Sequence, residues 1–593
     1  MNELLSDSVA RPRALVVSEI APRSVVRRPD GRWFVDFGKA YFGTVRITLR
    51  ADRPGTVEVC LGEKLNEAGA IDRTPPGSIR CRVMSLAVRA GTQTCRVEIP
   101  PDERNTRPGA IRMPRDLFEV LPFRYAEIGA VGGDALALDD IVMLAVHYPF
   151  NESAAAFECS DRRLTLVWDL CKHSIKATSF CGVYVDGDRE RIPYEADAYI
   201  NQLCHYGVDR EYEIGRQTLE YLLFHPTWPT EWALHFVPMA WADYQYTGRT
   251  DLLERYYDEL RGKLLLSLAR EDGLISTMTG LVTPELLGAL HLGQPMADIV
   301  DWPPGSFTQG GTGERDNHEM LPINTVVNAF HYWNLVLFAR IADRLGRRED
   351  AAFCEQRAGQ VADAMHRTLF DRQRGIFMDG EGSQHASLHA NCFPAAFDLV
   401  PADVQPGVLR FIRSRGMACS VYGAQYLLEG AYQLGDAAYA LDLMTAEHDR
   451  GWLNMLRAGS TVTLEAWDWR YKNNLDWNHA WGAAPANIIP RFLAGVCPAE
   501  PGFRSVRIAP QPAGLEWVRA TVPTCRGPVE LTIEQPRGKG KRLVIESPAP
   551  VQLDISGLAA PGACLRVEGA VVASPPAGRP YALGAGRHEC AIA

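Results

Sequence analysis

The spacing of hydrophobic positions changes twice along the chain and divides it into three parts. In residues 1–157, apolar and polar residues alternate between Gly- and Pro-bearing turns, as in GTVRITLRA (43–51) and GTVEVCLGE (55–63), which predicts short β-strands. In residues 158–497, apolar residues recur every three to four positions, which predicts helices. The alternation returns in residues 498–593. The pattern therefore predicts an N-terminal β-sandwich, a helical core and a second, jelly-roll-like β-sandwich.

The helical part begins with a clear start signal. Asp161 is predicted to cap a helix whose buried face carries Leu164, Val167, Trp168 and Cys171. Further helices are predicted at 211–224, 230–246, 250–269, 321–346, 349–369, 404–414, 421–434, 436–447 and 478–495. No strand is expected among them, and about ten to twelve antiparallel helices favour an (α/α)6 toroid over a four-helix bundle.

Composition and charge exclude several classes of partner. The 593 residues carry 62 Lys and Arg against 72 Asp and Glu, a net charge of −10, without a block of basic residues, so nucleic acid is not an expected partner. No run of about 18 apolar residues is present, and the N-terminus lacks a secretory pattern, so we expect a cytoplasmic protein without a membrane partner. The 14 cysteines form no CxxC pair and are expected to be reduced. The oligomeric state is open, with a homodimer as one alternative.

The first cluster of candidate chemistry lies between the first two core helices, in residues 180–207. Gly187 and Pro193 interrupt any helix there, which predicts a loop. Its charged and aromatic members are Tyr184, Asp186, Asp188, Arg189, Glu190, Arg191, Tyr194, Glu195, Asp197 and Tyr199. A solvated turn with surface ion pairs is one interpretation. The other is a sugar site, in which aromatic faces contact the ring and Arg189 lies beside the carboxyl group of Glu190.

A second cluster occupies residues 459–482 and is rich in tryptophan. Glu465 is surrounded by Trp467, Trp469, Trp477 and Trp481, with His479 near the last. Glu465 is either a core carboxylate paired with an arginine such as Arg470, or a catalytic base in an apolar cleft. Two carboxylates from distant loops of one toroid suggest glycoside hydrolysis, which needs an acid for the leaving oxygen and a second carboxylate for water or the sugar.

The domain order and the two motifs together resemble the family 78 glycoside hydrolases, the inverting α-L-rhamnosidases. The resemblance is carried by Asp186-Gly187, Arg189-Glu190-Arg191 and Asp197, and then by Gly459, Thr461, Glu465, Trp467, Asn478, His479 and Gly482. It implies that Glu190 is the general acid, that Glu465 is the general base, and that Asp186 and Asp197 hold sugar hydroxyls. Asp301-Trp302 resembles the family's turn at the cleft.

From these motifs we expect a substrate-binding set around Glu190 and Glu465 and no metal or cofactor. The set is Asp186, Arg189, Tyr194, Asp197, Asp301, Trp302, Trp467 and His479. Tyr194 stands where the family usually has Trp, so the sugar need not be an ordinary rhamnoside. Glu190 lies between two arginines, which favours its ionised form, and the sequence leaves open which carboxyl group holds the proton.

Two alternatives to a hydrolase follow from the same residues. A polysaccharide lyase would use Tyr194 or His479 as its base and Arg189 to neutralise a uronate. A sugar-binding relic would keep the pocket without turnover.

Overall fold

The computed structural model describes residues 8–131, 136–303, 313–538, 540–559, 563–572 and 579–592. Its N-terminal part is a β-domain with one long central strand. The strands are β1 (Val16–Ile20), β2 (Ser24–Arg27), β3 (Trp33–Ala51), β4 (Gly55–Gly62), β5 (Cys81–Val88), β6 (Gly91–Arg96), β7 (Leu121–Ala130) and β8 (Leu136–His147). The main path runs β1-β8-β3-β7-β4-β5, and β2 and β6 also pair with β3. A buried cluster fills this domain, with Val45, Ile47 and Met143 fully enclosed.

The strand β3 joins two segments that the sequence predicts as separate strands, 33–38 and 43–51. Gly38 adopts a positive φ of 85°, and the pairing with β7 shifts in register between Asp36 and Tyr41. The chain thus absorbs the irregularity as a bulge, because a glycine tolerates this backbone without a full turn. The stretch 101–116 is irregular as predicted, apart from one 3₁₀ turn at Glu103–Asn105.

The central part is helical, and it is preceded by a strand that belongs to another domain. The strand β9 (Ala156–Cys159) pairs with the C-terminal sheet. The helices are α1 (Arg162–Thr178), α2 (Glu195–Val208), α3 (Glu213–Phe224), α4 (Thr230–Ala233), α5 (Phe236–Thr247), α6 (Asp251–Arg255), α7 (Tyr257–Gly262), α8 (Pro284–Ala289), α9 (Thr325–Arg344), α10 (Arg348–Thr368), α11 (Leu388–Ala396), α12 (Gln405–Arg415), α13 (Gly423–Gln433), α14 (Ala437–Met444), α15 (Trp452–Arg457) and α16 (Pro485–Ile488). Shorter turns are the 3₁₀ segments Leu266–Leu268 and Ala480–Gly482 and the π segment Ile489–Leu493.

The helix signals identify most of these elements. Asp161 caps α1 by accepting from Arg163 N at 2.9 Å, and the predicted apolar face is buried. The runs 230–246 and 250–269 each break into shorter helices. The helices α8, α11 and α15 and a small hairpin, β10 (Phe370–Asp371) with β11 (Ile376–Phe377), were not predicted, because such short elements show too few periods to be recognised.

The C-terminal part is built from two β-sheets. Its strands are β12 (Val496–Pro498), β13 (Val506–Ile508), β14 (Trp517–Val522), β15 (Val529–Glu534), β16 (Lys541–Ser547), β17 (Val551–Leu553), β18 (Leu565–Val567), β19 (Ala570–Val572), β20 (Tyr581–Leu583) and β21 (Gly586–Ile592). One sheet is ordered β12-β13-β17-β20 and the other β19-β18-β21-β16-β15-β14-β9. The second sheet therefore includes the strand that leads into the helical domain.

Within the part of the chain that the structure describes, none of the helices has the length and apolar character needed to cross a bilayer. The cysteines in these ranges are free thiols.

Candidate active site

A cavity of about 240 Å³ lies where four loops of the helical domain meet. Its lining is Asp186, Arg189, Glu190, Tyr194, Asp197, Trp228, Pro229, Trp232, Ile299, Trp302, Glu465, Lys472, Asn474, His479 and Trp481. Both predicted catalytic glutamates face this space. The two clusters that the sequence singles out, some 275 residues apart, therefore meet at one site.

The loop that carries Glu190 is closed by hydrogen bonds at its base. Asp186 N donates to Ile192 O at 3.0 Å, and Ile192 N donates back to Asp186 Oδ1 at 3.0 Å. Gly187 supports the tight start of the loop with a φ of 103°. The buried Asp188 carboxylate pairs with Arg191 at 2.9 Å. Arg189 and Glu190, between these anchors, are thereby held towards the cavity.

The N-terminal β-domain also holds this loop. Asp188 N donates to Asn478 Oδ1 at 2.8 Å, and Asn478 Nδ2 donates to Glu63 Oε1 at 3.0 Å. Arg107, from the irregular stretch 101–116, contacts Glu190 directly, with Nη2 2.7 Å from Oε1. The site therefore depends on the packing of two domains.

Glu190 is surrounded by hydrogen-bond donors. Besides Arg107, Arg189 Nη1 lies 3.1 Å from its Oε1, and the Tyr194 hydroxyl donates to its Oε2 at 2.9 Å. Burial raises the pKa of Glu190, but the charge of Arg189 and the hydrogen bonds from Arg107 and Tyr194 outweigh it and lower the pKa to about 2. Glu190 is thus ionised at neutral pH.

Glu465 contacts the other terminal nitrogen of the same arginine, Arg189. Arg189 Nη2 donates to its Oε1 at 2.6 Å, and Lys472 Nζ is 3.1 Å from that oxygen. Burial raises the pKa of Glu465, but the charges of Arg189 and Lys472 bring it below the usual value. The arginine that pairs with Glu465 is Arg189 rather than the suggested Arg470, whose guanidinium pairs with Asp449 and Asp468. Glu465 is held as a carboxylate, the form that a general base needs.

His479 is fixed between two acidic side chains. Its Nε2 lies 2.5 Å from Asp197 Oδ1 in the first turn of α2, and its Nδ1 lies 3.6 Å from Asp476 Oδ1. Burial lowers the pKa of His479, but the charge of Asp197 raises it well above the usual value. His479 is therefore a cation in this network.

Indole side chains form the remaining walls. Trp228, Trp232, Trp302 and Trp481 line the cavity. Buried carboxylates fix two of these segments: Glu195 accepts from Thr227 N at 2.8 Å, next to Trp228, and Glu231 accepts from Val300 N at 2.6 Å. Flat apolar faces combined with a few charged groups suit a sugar ring, which offers C–H faces and hydroxyl edges.

Two members of the expected substrate-binding set lie outside the cavity. Asp301 is fully buried, and its carboxylate accepts from Ser420 and contacts His389 at 2.7 Å, so protein groups already satisfy it. Trp467 is also fully buried, and its Nε1 donates to Cys419 O at 2.8 Å. Both residues support the site from behind, whereas Trp302, next to Asp301, reaches the cavity.

The structure adds lining residues that sequence reasoning missed. Lys472 and Asn474 lie within the tryptophan-rich stretch, but nothing in their spacing marks them. Pro229 and Ile299 are apolar and carry no motif. Arg107 reaches Glu190 from more than eighty positions earlier in the chain, a contact that only the domain packing creates.

One group of possible metal ligands lies in the site. Among the described residues, Glu465, Asp476 and His479 place ligand atoms within 4.8 Å of one another. However, Arg189 and Lys472 already engage Glu465, and a protonated histidine has no lone pair for a metal. The charges therefore favour an ion-pair network.

A separate cavity of about 400 Å³ lies between residues 109–112 and the helix α3. Its buried carboxylate, Glu220, accepts from Val9 N at 2.8 Å and from the Tyr256 hydroxyl at 3.0 Å. With this acid occupied, and with no second carboxylate among the lining residues that the structure describes, this cavity lacks the paired acids of the first.

Comparison with known proteins identifies the family. Residues 152–493 match the model of the bacterial α-L-rhamnosidase six-hairpin glycosidase domain, more than half of the chain. The chain belongs to the bacterial α-L-rhamnosidase family. Residues 26–147 match the concanavalin-like domain of these rhamnosidases, and residues 495–556 match their C-terminal domain. The predicted family 78 resemblance and the order of β-domain, (α/α)6 domain and β-domain are thereby confirmed.

Individual rhamnosidases are distant relatives. An α-L-rhamnosidase of Formosa agariphila is 20% identical, over 92% of this chain and 58% of its own length. The structure of the α-L-rhamnosidase from Dictyoglumus thermophilum has a TM-score of 0.76 at 17% identity, covering 98% of this chain and 64% of that one. A Streptomyces avermitilis α-L-rhamnosidase complexed with L-rhamnose has a TM-score of 0.74 at 18% identity, covering 98% and 54%. This chain thus spans about three fifths of the length of these rhamnosidases.

Proposed function

We propose that this protein removes a terminal α-L-rhamnosyl or closely related residue from a glycoside by a single displacement that inverts the anomeric centre. Glu190 acts as the general acid and Glu465 as the general base. The observation that carries the proposal is the convergence of both glutamates on one indole-walled cavity, with Arg189 contacting both carboxylates.

The separation of the carboxyl groups is compatible with inversion, which the resemblance to family 78 implies. Arg189 contacts Glu190 Oε1 at 3.1 Å through Nη1 and Glu465 Oε1 at 2.6 Å through Nη2, so the width of one guanidinium lies between the acids. That places the two oxygens at most about 8 Å apart. Inverting glycosidases keep about 6.5–9.5 Å between their carboxyl groups, which leaves room for a water molecule.

The size of the cavity supports the removal of a single terminal sugar. About 240 Å³ is smaller than the roughly 300–1,000 Å³ of pockets that enclose drug-sized ligands. It suits one monosaccharide ring, and the remaining part of the substrate would extend outward past Glu190. The relatives bear on the choice of sugar, since the Streptomyces avermitilis rhamnosidase and one from Klebsiella oxytoca have structures with rhamnose bound.

The lyase alternative finds less support in the same geometry. A lyase base must accept a proton, yet His479 is held as a cation by Asp197 and Asp476, and the Tyr194 hydroxyl donates to Glu190. Lyase products absorb ultraviolet light and hydrolase products do not, so a spectrum of the products distinguishes the two reactions.

Aryl α-L-rhamnosides test the proposal. We expect wild type to release the phenol, and Glu190→Gln and Glu465→Gln each to lower kcat/KM by about 10²–10⁴-fold. Asp449→Asn, on the surface pair with Arg470, serves as the matched control and should retain wild-type rates. Binding of L-rhamnose without turnover in wild type would instead support the sugar-binding relic.

A further inference from the structure

Asp186 lies beside Glu190 in the sequence loop that lines the cavity. One of the two oxygens of the Asp186 carboxylate has no hydrogen-bond donor among the described residues. Asp186 is buried, and its Oδ1 accepts from Ile192 N. Its Oδ2 is enclosed and accepts no hydrogen bond from the described residues, since the nearest cation, Arg189 Nη2, is 3.8 Å away. A buried carboxylate oxygen without a donor is costly, whereas a protonated carboxyl group can itself donate.

The partner for such a proton is Glu190. The partner is indicated by geometry, since both carboxyl groups line the same cavity and both lie against Arg189, with Asp186 Oδ2 3.8 Å from Nη2 and Glu190 Oε1 3.1 Å from Nη1. Two ionised carboxylates offer only acceptors, so Asp186 and Glu190 can hydrogen-bond to each other only when one of them carries a proton. Neighbouring acids of like charge titrate as a pair, and the first proton is bound by both together.

We propose that Asp186 and Glu190 hold one proton in common, with Asp186 carrying it at rest and Glu190 passing it to the leaving oxygen. This inference rests on the proposed glycosidase function. It assigns Asp186 a task that acts through Glu190, beyond holding a sugar hydroxyl.

The charges around the pair favour this arrangement. Arg107, Arg189 and the Tyr194 hydroxyl all stabilise negative charge on Glu190. The charge of His479 lowers the pKa of Asp186, and the charge of Asp476 raises it. Burial raises the pKa of Asp186 well above the usual value, Arg189 opposes this, and the negative charge of Glu190 adds to it.

Two proton transfers accompany the cleavage of the glycosidic bond. The one shared proton moves from Asp186 to Glu190, and the bond between the anomeric carbon and the leaving oxygen breaks as that oxygen takes this proton from Glu190. At the same time water attacks the anomeric carbon and gives a proton to Glu465. Proton exchange with solvent then returns Glu465 to the carboxylate and Asp186 to the acid.

The first test is infrared spectroscopy of the full-length protein and needs no turnover. A protonated carboxyl group has a C=O stretch that is separate from the carboxylate bands. In the difference spectrum at pH 6, Asp186→Asn should lose one such band. Glu63→Gln is the positive control, because burial raises the pKa of Glu63 to about 8. If Asp186→Asn loses no protonated-carboxyl band, the proposal is overturned, whether or not the protein is a rhamnosidase.

The second test compares leaving groups. A 2,4-dinitrophenyl rhamnoside needs little acid assistance, whereas a phenyl rhamnoside needs it fully. At pH 6 we expect Asp186→Asn to lower phenyl rhamnoside hydrolysis by about 10²-fold or more and the dinitrophenyl rate by less than tenfold. Its phenyl rate should then rise as the pH falls towards 4, since Glu190 must take its proton from solvent.

Asp197→Asn is the matched control for the leaving-group test. It removes a cavity carboxylate that contacts His479, and it should lower the phenyl and dinitrophenyl rates by the same factor. Asp186→Ala with added formate gives a second variant, because formic acid in the vacated space should restore phenyl rhamnoside hydrolysis. Equal losses for both leaving groups in Asp186→Asn, or no rescue by formate, would contradict the proposal. If wild type hydrolyses neither substrate, the proposed function fails and the infrared result alone decides where the proton lies.

Discussion

Gly187 lies directly against the segment that follows Glu465, so adding one methyl group there tests the geometry of the site. A Cβ at this position would lie 2.6 Å from Asn478 O, 2.7 Å from Asn478 Oδ1 and 2.9 Å from Asp476 Oδ2. The backbone φ of 103° adds strain for any residue with a side chain. Gly187→Ala therefore combines an unfavourable backbone conformation with a steric overlap across the site.

Gly182 in the same loop separates these two effects. Its φ is 84°, and a Cβ there meets nothing within 4 Å. Both alanine variants incur about 1–2 kcal/mol for the positive φ, and only Gly187→Ala adds about 1–3 kcal/mol for overpacking. We therefore expect Gly187→Ala to lose about 1–3 kcal/mol more of its free energy of unfolding than Gly182→Ala.

The effect on activity should be larger than the effect on stability. To relieve the overlap, the loop with Glu190 must move away from the segment 476–479, and a displacement of about 1 Å costs roughly 10²-fold in rate. Urea unfolding and kcat/KM on an aryl rhamnoside measure the two effects. Equal stability and activity in the two alanine variants would refute the close approach of the loops.

Three further predictions follow from charges. Glu63 has a pKa of about 8 against 4.5 when unfolded, so its stabilising contribution is complete below about pH 4.5 and lost as the pH rises through 8. Glu63→Gln should therefore remove on the order of 4 kcal/mol of pH-dependent stability, seen as a smaller drop in Tm between pH 5 and pH 8. Arg216→Met, which breaks a buried ion pair, should lower the free energy of unfolding by about 3–5 kcal/mol, whereas Arg413→Met in a surface pair should change it by about 0–1 kcal/mol. Lys472→Met removes a charge that lowers the pKa of Glu465, so the acidic limb of the kcat/KM profile should move to higher pH, and an unchanged limb would contradict the role of Lys472.

Much of the fold could be predicted from the sequence, because hydrophobic periodicity and turn residues are local signals. The change from alternation to helical spacing marks the start of the helical domain, and Asp161 marks the first residue of α1 within one position. The pairing of β9 with β14 is not local, since it joins segments more than 350 residues apart, and no pattern in either strand specifies it.

The part of the site that lies within recognisable sequence motifs could be predicted. Glu190 and Glu465 stand in stretches where charge and aromatic residues crowd together, and the structure brings both to one cavity. Asp301 and Trp467 are residue types that can bind a sugar, and they lie next to cavity residues in the sequence. Their side chains are buried in the protein instead, and this orientation depends on packing that the sequence motif does not specify. Arg107 had no local signal at all, because its contact with Glu190 arises only when the β-domain docks on the helical domain.

In the proposed mechanism, Glu190 and Glu465 act from opposite sides of one anomeric carbon, and the attacking water molecule is activated by Glu465. Proton NMR can identify the anomer of the sugar released in the first minutes of hydrolysis of an aryl α-L-rhamnoside, before mutarotation mixes the anomers. We expect β-L-rhamnose to appear first. Initial release of α-L-rhamnose, or no release of rhamnose by the folded wild-type protein, would contradict the proposed mechanism.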